Sequence, residues 1–283
     1  MKRSQIISSF LLLVFLIVIV VCSVFIYTEE KEIQESVNVV DQVKAQVVEE
    51  SAEITSETEL YTEESNTEEV TSVTNKGGSQ DSGSSGSYLY RKINFEKLQA
   101  INPDATRWVY IPNTNIDYYV MQEQTEGETY YLWRNIYKKK SSWGSILTPK
   151  VPEDIEDAHL LLFGHRMSNK SVAFGRLNKY AKQSYGKSHS DVYVYYPDRA
   201  ERWKLWAVCK SNAEDMIYQI PYTLGSDSYQ TLIDHVDATK LYSLCDKPDN
   251  QTKTLVLSTC NGRRSGSSAR FYIVCVLDEM YIY

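Results

Sequence analysis

Apolar residues fall into three regimes along the chain. Ile6 to Tyr27, "IISSFLLLVFLIVIVVCSVFIY", is apolar all round and carries no charge. As a helix rising ~1.5 Å per residue, this stretch reaches about 33 Å, enough to cross a bilayer. Thr28 to Ser87 is polar and ends in "GGSQDSGSSGS". It offers too little apolar surface to offset the entropy of ordering, which predicts a disordered tether. Only "VNVVDQVKAQVVEE", Val37 to Glu50, has helical or coiled potential. From Tyr88 onward, short apolar runs alternate with turn signals, and the length suits one globular domain.

Within that domain, Asn94 caps a predicted helix whose apolar face is Phe95, Leu98 and Ile101, stopped by Pro103. "TRWVYIPNTNIDYYVMQ" reads as two strands around a Pro-Asn-Thr-Asn turn, and "WGSILTP" and "AHLLLFG" as further strands. Phe174, Leu177 and Tyr180 or Ala181 mark a helix. "DVYVYYPDRAERWKLWAVCKS" alternates on both sides of a Pro-Asp turn and predicts a hairpin. Tyr229, Leu232, Ile233 and Val236 mark a second amphipathic helix. "VLSTCNGRRSGSSARFYIVCVL", Val256 to Leu277, is a hairpin whose loop of small residues brings Cys260 and Arg270 to one rim. About eight short strands with helices between and before them predict a mainly β protein, a barrel with peripheral helices.

Charge sharpens the division. The tether holds 15 acidic residues against Lys31, Lys44 and Lys76, so the formal charge of −7 is its work and the remainder is slightly basic. Lys2 and Arg3 flank the apolar stretch on one side and Glu29, Glu30 and Glu32 on the other. The positive-inside rule then keeps the N-terminus cytoplasmic and the domain outside. A cleaved signal peptide has an apolar region of only ~7–15 residues and a small-x-small site, which is absent here. The expected organisation is a cytoplasmic tail (1–5), a transmembrane anchor (6–27), a disordered tether (28–87) and an extracellular domain (88–283). No phosphate-binding glycine loop, CxxC pair, metal site or nucleic-acid signature appears, and no cofactor is expected.

Four cysteines lie beyond the anchor. Cys209 and Cys275 sit inside apolar strands as small hydrophobes, and Cys245 is expected to end a helix. Only Cys260 ends a strand and opens into a Gly/Ser loop, where a nearby cation favours the thiolate. Arg263 and Arg264 lie in that loop, whereas Arg270 is held at the start of a strand and suits oxyanion stabilisation. His165 follows "LLLFG", where a strand leaves the sheet and Gly164 permits a sharp turn. His159, His189 and His235 read as a strand edge, a loop and mid-helix.

These residues resemble a known family. "TLVLSTC" (Thr254 to Cys260), followed ten residues on by Arg270, is similar to the TLxTC…R signature of sortases. "LLLFGHRM" resembles the segment carrying their catalytic histidine, here His165. "INFEKLQAINPDATRWVYIPNTNIDYYVMQ" and a helix at Ser226 to Lys240 resemble class B members, over roughly Ile93 to the C-terminus. The resemblance implies a closed eight-stranded barrel and a Gram-positive surface transpeptidase. Cys260 would attack a carbonyl in a C-terminal sorting signal and form an acyl-thioester. His165 would protonate the leaving amine, and Arg270 would stabilise the oxyanion. Thr259 is a further candidate donor, with strand filler as the alternative. The implied partners are surface proteins or pilins carrying a sorting signal, and an amine of peptidoglycan precursor or pilin.

Two departures stand out. "GSILTPKVPEDIEDAH" places a Pro-rich acidic insertion where many class B members have an Asp-containing turn, and Gly262 stands where an acidic residue is common. No carboxylate partner for His165 is assigned. The competing readings are a catalytically idle barrel serving as adhesin or scaffold, and a thiol protease that only hydrolyses.

Overall fold

The computed structural model describes residues 2–49, 87–127, 129–152, 157–166, 172–260 and 268–283. The apolar N-terminal stretch is helical, and the helix does not stop at the end of that stretch: α1 runs Lys2–Val47. It is the one helix, among the described residues, long and apolar enough to cross a membrane. Two-residue strands β1 (Val48–Glu49) and β2 (Lys92–Ile93) pair antiparallel and join its end to the domain. Helix α2 (Phe95–Ile101) follows, with the Asn94 side chain accepting from the Lys97 amide at 3.0 Å.

The strands then come in order: β3 (Ala105–Tyr110), β4 (Asp117–Met121), β5 (Ile146–Leu147) and β6 (His159–Phe163). Short α3 (Gln183–Ser188) precedes β7 (Asp191–Tyr195) and the long β8 (Arg199–Asn212). Helix α4 (Asp227–Thr239), capped by Ser226, leads into β9 (Lys240–Ser243), β10 (Thr254–Cys260) and β11 (Ala269–Ile282). Hydrogen bonding runs β11-β10-β6-β5-β4-β3-β7-β8, and β8 pairs back onto β11. Eight strands therefore close a barrel and remove the sheet edges, while β9 hangs on β8 beyond the end of β7. Two of the pairings are parallel, β4 with β5 and β6 with β10.

Strand alternation explains why the late strands read as unbroken apolar runs. Leu255, Leu257, Phe271, Ile273 and Cys275 point to the barrel interior with Val109 and Leu162. The intervening Val256, Tyr272 and Val274 face outward and are covered by Tyr229, Leu232, Ile233 and Val236 of α4. With both faces covered, the middle of each strand is apolar on both.

Three expectations are corrected. Residues 28–47, assigned to a disordered tether, are helical, and Val40, Val43 and Val47 are buried against the domain. Val47 accepts from the Asn94 amide at 2.7 Å, and Lys44 pairs with Asp117, which Arg91 also grips through both carboxylate oxygens. The rest of the tether, residues 50–86, lies outside the described residues. The helix expected around Leu177 is a 3-10 turn, Leu177–Ala181, followed by α3. Phe174, Leu177 and Tyr180 recur every three residues, the 3-10 period, and all are buried. Cys245 follows strand β9 rather than ending a helix.

Candidate active site

The site is built where β6 and β10 end side by side. These parallel strands are in register from Thr254 opposite His159 to Ser258 opposite Phe163. Beyond the last pair, the Gly164 amide donates to the Ser258 carbonyl at 3.1 Å, and the Thr259 hydroxyl donates to the Gly164 carbonyl at 2.7 Å. The backbone carrying His165 is thereby fastened to the backbone carrying Cys260. Thr259 is buried, and its hydroxyl bond to Gly164 ties the two strand ends together. Gly164 is required by close approach: a Cβ there would lie 2.7 Å from the Phe174 ring.

On its other edge, β10 pairs antiparallel with β11, and Cys260 stands directly opposite Arg270. Arg270 is also in register with Ser211 of β8, so its backbone is held from both sides. Its Nη1 donates to the Ala269 carbonyl at 3.1 Å. The hairpin expected from the sequence is formed, and Cys260, Arg270 and His165 come to one rim. Loop residues Gly262, Arg263 and Arg264 lie outside the described residues, as do residues 153–156 of the acidic insertion.

The seat of His165 comes from a segment that the sequence reading passed over. Tyr130–Trp133 forms a 3-10 turn. The Trp133 ring lies 4.7 Å from the imidazole, centroid to centroid, and the Leu132 backbone hydrogen-bonds to it. Burial lowers the imidazole pKa below its ordinary value, while the Leu132 bond acts in the opposite direction. Nε2 is buried and has no hydrogen-bond partner among the described residues. Gly144 holds this seat together. Its φ is +55°, and a Cβ there would meet the Leu132 carbonyl oxygen at 2.1 Å. Ser258 is bonded to the Tyr218 hydroxyl at 2.8 Å, and Tyr218 stacks on Phe163, which stiffens the strand ends from outside.

The two thiols buried inside strands are unsuited to attack. Burial pushes Cys209 up to about 12 and Cys275 well above its ordinary value. His159 is fully buried between Thr254 Oγ1 (2.8 Å) and the Ile217 carbonyl (3.0 Å), far from a strand-edge role. His235 faces Asp215 at 3.1 Å, and His189 stacks on Tyr185. Among the described residues no group of three or more His, Cys, Asp or Glu could hold a metal.

On this closed mixed barrel, Cys260 ends one strand opposite Arg270, and His165 leaves the end of the neighbouring parallel strand. The profile of the Sortase domain matches residues 109–278, more than half of the chain. The chain belongs to the sortase family and is a cysteine transpeptidase of that family. Sortase B of Staphylococcus aureus is 26% identical over 190 residues, covering 66% of this chain and 75% of that protein. Sortase B of Listeria monocytogenes is 23% identical over 177 residues, covering 62% and 70%. The solved Staphylococcus aureus sortase B–substrate complex superposes with a TM-score of 0.58 at 21% identity, covering 66% of this chain and 85% of that one.

Proposed function

We propose that Cys260 is the nucleophile, His165 the proton carrier and Arg270 the oxyanion cation of a transpeptidase that acts on C-terminal sorting signals. The Cys260 sulfur adds to the carbonyl carbon, and the negative oxygen of the tetrahedral intermediate faces the Arg270 guanidinium. His165 protonates the departing amine as the C–N bond breaks, leaving an acyl-thioester. An incoming amine then attacks the same carbon, the C–S bond breaks, and the amine's proton passes to the protein. The thioester keeps enough acyl-transfer energy to form the new amide without ATP.

The observation that carries this reading is the pairing of Cys260 with Arg270 beside the strand end that delivers His165. A related sortase B is known as a substrate complex, which supports a sorting signal as the acyl donor. Residues 6–27 anchor the chain in the cell membrane, with residues 1–5 inside and the domain outside, supported by the apolar helix and its flanking charges. The acceptor is an amine of peptidoglycan precursor or of a pilin.

The test incubates the full chain in detergent micelles with peptides of the Asn-Pro-Gln-Thr-Asn, Ser-Pro-x-Thr-Gly and Leu-Pro-x-Thr-Gly types, with and without amine. Formation of a joined peptide–amine product by the wild type, and its loss in Cys260→Ala, is the expected result. Product that survives Cys260→Ala overturns the assignment.

A further inference from the structure

A groove of about 600 Å³ lies between α1 and the turn that seats His165. One wall is α1, presenting Glu32 and Glu35. The other carries Arg134, Lys139 and Lys140 on a tight antiparallel turn, in which Arg134 bridges Lys140 and the Asn135 amide donates to the Lys139 carbonyl at 3.0 Å. The Arg134 guanidinium is held 4.2 Å above the Tyr130 ring. Across the groove, Ser36 Oγ and Ser141 Oγ are 3.4 Å apart, which fixes the spacing of the walls. Glu35 also lies 3.9 Å from Lys31, an exposed pair of the kind that contributes little.

The groove reaches the residue that packs on His165. Trp133 lines it and is also the residue whose ring lies against His165. Trp133 is 53% exposed and lines the groove. Walls of opposite charge suit an occupant that carries both signs. Carboxylates on α1 attract an ammonium, and the facing cations attract a carboxylate. At ~1.5 Å per residue, Glu32 and Glu35 stand about 8 and 12 Å beyond Tyr27, so the groove opens close to the end of the apolar segment.

We infer that this groove is the acceptor subsite: it takes a short peptide that carries a free amine and a carboxylate, and delivers the amine past Trp133 to the acyl-enzyme. The inference rests on the transpeptidase reading above and adds the path and chemistry of the second substrate. Carboxylates of Glu32 and Glu35 gather the amine in its ammonium form. Once the ammonium has given one proton to solvent, nitrogen attacks the thioester carbon, the C–S bond breaks as the amide forms, and the second proton passes to the departing Cys260 sulfur.

The test uses the full chain in detergent micelles, acylated by whichever sorting-signal peptide the wild type accepts. Triglycine and triglycinamide serve as acceptors, the second lacking the carboxylate. Lys139→Gln/Lys140→Gln is expected to raise the KM for triglycine fivefold or more and to leave triglycinamide within twofold. Glu32→Gln/Glu35→Gln is expected to raise the KM for both acceptors. In each variant the effect falls on acceptor KM and not on the rate of adduct formation without amine. Acceptor KM values within twofold of wild type in both double variants, with normal acylation, overturn the subsite and leave the transpeptidase reading intact. A wild-type chain that no peptide acylates overturns that reading and the subsite with it.

Discussion

The indole of Trp133 lies 4.7 Å from the imidazole of His165, ring centre to ring centre. Burial is the first cause of the lowered His165 pKa. Removing the indole with Trp133→Ala restores solvent to the ring, so the pKa is expected to rise towards its ordinary value. NMR titration of the His165 ring protons in both proteins measures this. A midpoint unchanged or lower in the variant contradicts it. In wild type the midpoint is expected below 6.5, the ordinary histidine value.

Thr259 separates a structural from a catalytic role. Thr259→Val keeps the shape and leaves the Gly164 carbonyl without its donor, which is expected to cost about 1–3 kcal/mol of stability. Thr259→Ser, which can still donate, is expected to restore most of it. Denaturant unfolding of the three proteins, with turnover measured alongside, decides the matter. If Thr259→Val slows turnover at unchanged stability, the hydroxyl acts on the reaction and not on the strands.

Much of the site was legible in the sequence because the signals were local. A strand ending in Thr259-Cys260, a loop of small residues and a restart at Arg270 are enough to specify a hairpin, and the structure places the two residues in register. Gly164-His165 at the end of "LLLFG" marks a strand end in the same way. Trp133 was missed because its proximity to His165 depends on tertiary folding; the only local trace is Gly144, a glycine held at positive φ against Leu132. The second half of α1 was misjudged for a different reason. Fifteen acidic residues set the composition of Thr28 to Ser87 and masked a stripe within it. Ile33, Val37, Val40, Val43 and Val47 recur every three or four residues, the helical period, and all pack on the domain.

That stripe carries its own prediction. Val43 and Val47 are fully buried, and truncating a buried valine to alanine removes two methyl groups and leaves a small void. Val43→Ala/Val47→Ala is expected to cost about 3 kcal/mol, lowering Tm by roughly 6–12 °C in a domain of this size. Thermal unfolding in micelles, followed by near-ultraviolet circular dichroism, reads it. An unchanged Tm would mean that α1 does not support the domain in solution.

His159 makes the fold sensitive to acid. Burial lowers its pKa from 6.5 to about 4, with the bond to the Ile217 carbonyl acting against it. Between those values the unfolded chain binds a proton that the folded protein refuses. Stability from this group is therefore full above pH 6.5 and falls as the pH drops to about 4, by on the order of 3 kcal/mol. His159→Gln is expected to flatten the unfolding free energy across that window, whatever its effect at neutral pH. An equal slope in both proteins contradicts the assignment.

The central claim is that Cys260 carries the acyl group, and intact-mass spectrometry tests it most directly. The full chain is mixed with the sorting-signal peptides without amine, and the acyl adduct is located by peptide mapping. The expected result is one adduct per chain on Cys260, absent in Cys260→Ala, slowed at least a hundredfold in Arg270→Ala, and discharged when triglycine is added. An adduct on another residue, or one of equal yield in Cys260→Ala, would contradict the account.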